Sequence, residues 1–128
     1  MRTRTKLTTV LASGTLAAGL LVGGASSASA GTAQTCYGGA VDFSTTNKVW
    51  PAYPQWRTTS ARCADVNVKA TVGAYVQACF YQGAGEPHKC YAKRWLSQGV
   101  WDTAVTDVLN GKKFYLKFDR STWGKVAY

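Results

Sequence analysis

The chain has 128 residues and is basic and aromatic, with 15 Lys and Arg against 6 Asp and Glu, five Trp, seven Tyr and four Phe. This length allows one small domain and excludes a large hydrophobic core, so stabilisation by covalent cross-links is expected outside the cell. The high aromatic content favours strands over helices.

The first thirty residues are typical of a secretory signal peptide. Three basic residues lie within positions 2–6, an apolar stretch rich in Ala, Leu and Gly spans 7–24, and residues 28–30 (Ala-Ser-Ala) match a cleavage site. Removal of residues 1–30 leaves 98 residues with a formal net charge of +6. Polar residues and glycines interrupt the apolar stretch too often for a membrane anchor. The sequence therefore predicts a secreted, extracellular protein with no transmembrane anchor.

Residues 31–60 are predicted to form an extended N-terminal arm that precedes the folded domain. Pro51 and Pro54 exclude both a helix and a central strand around them. The same segment carries Trp50, Tyr53 and Trp56. These rings either fold back into the core or anchor a partner, because Trp and Tyr dominate interface hot spots. We take these three aromatic residues as the candidate partner-docking site.

Residues 61–128 show the period-two alternation of half-buried strands. Runs around 64–68 and 75–81, separated by a turn that contains Gly73, predict a hairpin. Asn110-Gly111 is a second hairpin signal, and the alternating run 114–118 follows it. About six short strands separated by turns predict an all-β fold, either a small antiparallel β-sandwich or a barrel.

All four cysteines follow the predicted cleavage site and are interpreted as two disulfides: Cys36, Cys63, Cys79 and Cys90. Metal binding is the competing interpretation, but there is no C-x-x-C pair and only one histidine. Three connectivities are possible, and the sequence does not choose between them. We favour Cys79–Cys90 closing a polar loop and Cys36–Cys63 holding the arm to the domain. No metal or cofactor is predicted.

His88 is the only candidate general base, two residues after Glu86 in a loop rich in Gly and Pro. General acid–base catalysis needs two groups with complementary protonation states, and a lone exposed histidine is the simpler interpretation. Asp102 and Asp107 are candidates for a carboxylate pair, but turn capping is the commoner role for such residues. No hydrolase or phosphate-binding motif occurs. The sequence therefore predicts a protein that is not an enzyme.

The basic residues form two groups in the sequence, Lys89, Lys93 and Arg94, and then Lys112, Lys113 and Lys117. Outside the cell, the matching partners are acidic polysaccharides, wall teichoic acids or anionic membranes rather than nucleic acid. A solvated face that keeps the domain soluble is the simpler interpretation. We expect no more than a weak polyanion or cell-wall contact.

Several segments resemble small secreted proteins of streptomycetes. The resemblance covers about residues 59–118 and rests on 59–68 (TSARCADVNV), 76–80 (VQACF), 106–108 (TDV) and 114–118 (FYLKF). One role within this kind of protein is the adaptor subunit of umbrella toxin particles. The resemblance implies a small sandwich with an extended N-terminal segment, which joins a lectin-bearing subunit to a large repeat-containing toxin.

The predicted function is therefore a secreted, non-enzymatic protein-binding module of the adaptor kind, whose partners are other secreted proteins. The alternative is a secreted effector that binds the cell surface or a carbohydrate and has antimicrobial action. A small hydrolase is a third interpretation, and it depends on His88.

Overall fold

The described part of the chain is an all-β sandwich. The computed structural model describes residues 35–128, so the predicted signal peptide and its cleavage site lie outside the described residues. Two antiparallel sheets are formed and neither closes into a barrel, which confirms the predicted fold class. Within residues 35–128, no helix has the length and apolar character needed to cross a bilayer.

The described residues contain ten short strands, preceded by a single 3-10 turn at Tyr37–Gly39. In chain order the strands are β1 (Val41–Ser44), β2 (Val49–Trp50), β3 (Arg57–Thr58), β4 (Val66–Ala70), β5 (Ala74–Phe80), β6 (Lys89–Cys90), β7 (Arg94–Leu96), β8 (Trp101–Val105), β9 (Lys113–Phe118) and β10 (Trp123–Ala127).

The first sheet has the strand order β1-β10-β4-β8, and the second is built around the pair β9 and β5. Strands β2 and β3 both pair with β9, while β6 and β7 both pair with β5. Each edge of the second sheet therefore consists of two short strands in place of one long one. Ten strands are present where about six were predicted, because the predicted arm supplies β1, β2 and β3 and the loop before β7 supplies β6.

Both predicted hairpins are wrong, because each turn connects the two sheets. Strand β4 ends at Ala70 in the first sheet, and β5 begins at Ala74 in the second. Strands β8 and β9, on either side of Asn110-Gly111, also belong to different sheets. Each of these strands has one apolar face, and a crossing between sheets turns both apolar faces toward a shared core.

Apolar side chains from both sheets form one core. Alternate residues of β5 and β9 supply most of it from the second sheet, namely Val76, Ala78, Phe80, Phe114, Leu116 and Phe118. From the first sheet, Val66, Val68 and Val126 are completely buried. Phe43 of β1 stacks on Phe118 of β9 with ring centroids 5.5 Å apart, which joins the two sheets directly.

Residues 41–58 of the predicted arm form three short strands separated by turns, and these strands belong to both sheets. Strand β1 pairs with β10 along the edge of the first sheet. Strands β2 and β3 pair with β9 in the second sheet, on either side of the segment that contains Pro51 and Pro54. The peptide bonds that precede these two prolines are cis. In the described structure this stretch is thus built into the sandwich.

The two disulfides have the pairings that we favoured. Cys36 is bonded to Cys63, which ties the 3-10 turn to the segment ahead of β4. Cys79 is bonded to Cys90, its direct partner in the register of β5 and β6. The second bond therefore holds the base of the loop that contains His88 against the central strand β5.

Gly124 in β10 is expected to be intolerant of any side chain. Its φ is +151°, and a Cβ atom there would overlap the carbonyl oxygen of Lys69 on β4. Gly124→Ala should lower the free energy of unfolding by about 3 kcal/mol, because backbone strain and steric overlap add. Urea denaturation measures this change.

Gly99 provides the control, since its φ is +74° but no heavy atom lies within 4 Å of the position that a Cβ atom would take there. Gly99→Ala should lower the free energy of unfolding by only about 1 kcal/mol, which is the cost of a left-handed backbone conformation for alanine. If both variants lose the same free energy of unfolding, the close approach of β10 and β4 is not what restricts the side chain at position 124.

Removal of each disulfide should destabilise the domain according to the loop that it closes. The sequence separations are 27 residues for Cys36–Cys63 and 11 residues for Cys79–Cys90. Loop-closure entropy gives losses of about 3.6 and about 2.8 kcal/mol for the corresponding double Ala variants. Denaturant unfolding of both variants measures the two losses. A larger loss for the Cys79–Cys90 variant would contradict loop-closure entropy as the source of stabilisation.

Candidate binding surface

The three aromatic residues proposed for docking lie in three different environments. Trp50 is 5% exposed and belongs to the core, whereas Tyr53 is 91% exposed. Trp56 is half-buried at the surface. The structure therefore leaves Tyr53 and Trp56 accessible to a partner and places Trp50 inside the fold.

Trp50 is buried because of its position in β2. It lies directly opposite Leu116 of β9, whose side chain is completely buried, and opposite residues of an antiparallel pair share a face. The Trp50 ring lies 6.0 Å from the Phe43 ring and 6.1 Å from the Tyr128 ring, measured between centroids. The Arg57 guanidinium lies over the indole, 5.1 Å from its centre. These contacts make Trp50 a stabilising residue of the core.

Trp56 belongs to an aromatic cluster, defined here as Trp56, Tyr81, His88 and Tyr115. The Trp56 ring makes edge-on contacts with the other three rings, at centroid distances of 5.3, 5.0 and 5.4 Å. His88 Nδ1 and the Tyr115 hydroxyl share a hydrogen bond of 3.2 Å. Four separate segments contribute to the cluster, so it exists only in the folded protein.

A cavity of about 480 Å³ lies beside the aromatic cluster. Its lining includes Pro51, Tyr53 and Pro54, together with three rings of the cluster. Gln55 and Lys117 supply polar groups to the same lining. The volume is in the range of ligand pockets, and the combination of many apolar groups with few polar ones is typical of binding sites.

Of the two acidic residues considered as a carboxylate pair, Asp102 forms a hydrogen bond through its carboxylate and Asp107 through its backbone N–H. The Asp102 carboxylate accepts a hydrogen bond of 2.6 Å from the Ser97 backbone N–H. The backbone N–H of Asp107 donates to the Asp65 carboxylate at 3.0 Å. In the part of the chain that the structure describes, no three His, Cys, Asp or Glu side chains are grouped so as to hold a metal ion. The carboxylates of Asp102 and Asp65 thus hold neighbouring backbone segments in place.

Outward-facing side chains of the second sheet extend this surface beyond the aromatic cluster. We call it the outer face; on β5 and β9 it comprises Tyr75, Gln77, Lys113, Tyr115 and Lys117, with Tyr81 at its end. Lys113 Nζ lies 5.7 Å from the centre of the Tyr81 ring. At the opposite end, Trp95 of β7 is paired with Tyr75. The outer face thus carries basic and aromatic residues in alternation on β9 and an exposed aromatic pair at the β5–β7 end.

Asp119 follows β9 and is fully engaged by its neighbours. Its carboxylate forms an ion pair of 3.0 Å with Arg120 and accepts a hydrogen bond of 2.8 Å from the Tyr75 backbone N–H. The hydrogen bond from Arg120, followed by the one from Tyr75, lowers the pKa of Asp119 below its usual value. The carboxylate is therefore ionised at neutral pH and holds the start of β5.

Searches of protein-family models, curated proteins and solved structures gave no match to this chain. The resemblance to small secreted streptomycete proteins therefore stays a prediction, and function has to be argued from the geometry of the surface.

The sequence identified the outward-facing positions but not their neighbours. Alternation along β5 and β9 separates Tyr81 and Tyr115 from the core positions, and this signal is readable without a structure. It does not show that Trp56 and His88 lie against them, because those residues come from loops. Only the pairing of β3 and β6 with the central strands brings the four rings together.

Two alanine substitutions should separate the core role of Trp50 from the surface role of Tyr53. Trp50→Ala should lower the free energy of unfolding by about 3–5 kcal/mol, since it removes a large buried side chain. Tyr53→Ala should change it by less than about 0.5 kcal/mol, since the ring is exposed. Thermal or urea unfolding measures both. A large loss of stability for Tyr53→Ala would contradict this assignment.

Proposed function

We propose that this chain is a secreted, non-enzymatic protein-binding module. The observation that carries the proposal is the exposed Tyr53 ring, held between two prolines beside the apolar cavity and Trp56. Tyrosine is enriched at interface hot spots, and such residues pack into water-excluded pockets of the partner. Prolines restrict the backbone on either side of Tyr53, so little conformational entropy is lost when the ring docks.

Export is part of this proposal. The N-terminal sequence has the pattern of a signal peptide. Two disulfides and no free cysteine in residues 35–128 are typical of proteins from oxidising compartments.

A binding role is also supported by what the polar residues do. The His88 ring is hydrogen-bonded to Tyr115, and Asp65 and Asp102 accept hydrogen bonds from backbone N–H groups. General acid–base chemistry requires a second titratable group poised over the same substrate. The cavity lining instead combines prolines, aromatic rings and a lysine, which suits recognition better than proton transfer.

The specific role that we propose is that of an adaptor in an extracellular toxin complex of the umbrella type. In that role the chain joins a lectin-bearing subunit to a large repeat-containing toxin. The surface beside Tyr53 docks one of these partners. The support for this role is the resemblance of residues 59–118 together with the exposed aromatic segment.

Partner capture from culture supernatant tests the proposal. Tagged mature protein should recover a secreted protein that mass spectrometry identifies as a lectin-bearing or repeat-containing subunit. With that subunit purified, Tyr53→Ala should weaken binding about thirtyfold, the loss typical of a hot-spot tyrosine. Biolayer interferometry measures the affinity of each variant.

Trp123→Ala is the matched control, because Trp123 is 51% exposed and lies on β10 of the first sheet. It should bind the partner as the unchanged protein does. The proposal fails if no secreted subunit is recovered, or if Tyr53→Ala and Trp123→Ala weaken binding equally.

A further inference from the structure

The fold brings two lysines from separate sequence groups onto one face. Lys93 lies directly ahead of β7 and Lys117 lies in β9, and these two strands pair with opposite sides of β5. Lys93, Gln77 and Lys117 line a notch of about 150 Å³ on the outer face. Two lysine side chains that line one small space are suited to bind a single carboxylate or phosphate group.

Next to this notch, Tyr75 and Trp95 form an exposed aromatic pair. The two residues are directly opposite in the register of β5 and β7, with ring centroids 5.1 Å apart and the rings edge-on. Each side chain is 47% exposed, and Tyr75 also lines the notch. An aromatic surface beside a polar notch offers apolar contact to a ring and polar contact to its substituents.

We propose that the outer face binds an anionic polysaccharide. Lys93 and Lys117 bind the carboxylate or phosphate group of one sugar residue, and Tyr75 and Trp95 pack against the apolar face of the neighbouring sugar ring. This site is distinct from the docking residue Tyr53, although Lys117 lines both spaces. This proposal rests on the proposed function only in assuming that the chain is exported.

The charge distribution favours an anionic ligand. Within residues 35–128 the ion pairs are Asp119–Arg120 and Asp42–Lys125, so neither Lys93 nor Lys117 is paired with a carboxylate there. Asp119 also lines the notch, but Arg120 and the Tyr75 N–H already bind its carboxylate. A net positive potential therefore remains at the notch.

The composition of the outer face favours a polysaccharide over a protein surface. Lysine is depleted at the centre of protein–protein interfaces, whereas here Lys113 and Lys117 flank Tyr115 along the outward side of β9. From Tyr75 to Tyr81 the outward side of β5 spans about 20 Å, at ~3.4 Å per residue. An extended polymer can place several sugar residues along this distance.

Calorimetric titration of the purified mature protein tests this proposal. The probe is sodium polygalacturonate, and the comparison is a neutral galactan that lacks the carboxylates. The protein should bind polygalacturonate, with an affinity that falls as salt is raised, and should not bind galactan. Lys93→Gln/Lys117→Gln should weaken binding about tenfold.

The matched control is Lys69→Gln/Lys125→Gln, which removes the same charge from the first sheet and should change affinity less than about twofold. Tyr75→Thr/Trp95→Thr leaves the charge unchanged and should also weaken binding about tenfold. Unchanged melting temperatures confirm that the variants are folded, since all of these side chains are exposed.

Three results would overturn the proposal. The first is the absence of polygalacturonate binding, including the case in which only phosphatidylglycerol vesicles are bound. The second is an equal loss of affinity for Lys93→Gln/Lys117→Gln and Lys69→Gln/Lys125→Gln, because general charge attraction would then explain binding without a defined site. The third is full binding by the Tyr75→Thr/Trp95→Thr variant. Because the purified chain is used alone, none of these results affects partner capture through Tyr53.

Discussion

The pairing of β5 with β9 is the constraint on which the rest of this structure depends. One face of the pair is apolar and packs against the first sheet, so the opposite face must point to solvent. On that outer face lie Tyr75, Gln77, Tyr115 and Lys117, and the exposed Tyr53 lines a cavity together with the last two. Core formation and the layout of the surface are therefore two consequences of the same alternation.

The second sheet also explains how one short segment serves the core and the surface. At β2 the chain follows β9 closely enough to insert Trp50 opposite Leu116. It then leaves the sheet at Pro51 and returns at Arg57, where β3 begins. Tyr53 lies on the excursion between these points. Pro51 and Pro54 lack the N–H groups that a continued strand would use, so the excursion is a direct result of the sequence.

Covalent bonds compensate for the small size of the domain and also position its surface. Cys79 lies opposite Tyr115 on one side and opposite Cys90 on the other. The disulfide thus fixes the position of the segment from His88 to Lys93 relative to β5. This segment contributes a ring to the aromatic cluster and a lysine to the notch. A bond first interpreted as a stabilising cross-link therefore lies between the two candidate binding sites.

The sequence alone determined the all-β class, the strands at β4, β5 and β9, and the core positions of β5 and β9, because period-two alternation is a local property. On β4 the alternation placed Asn67 on the exposed face, whereas Asn67 is buried and accepts a hydrogen bond from Thr103. It favoured the right disulfides without excluding the others. Which strands pair was decided by the tertiary structure, since the turns at Gly73 and Gly111 are compatible with either a hairpin or a crossing between sheets. The tertiary structure also decided the burial of Trp50, the aromatic cluster around Trp56, and the placement of Lys93 and Lys117 at one notch. Each depends on contacts between residues far apart in the chain, which only the packing of the two sheets establishes.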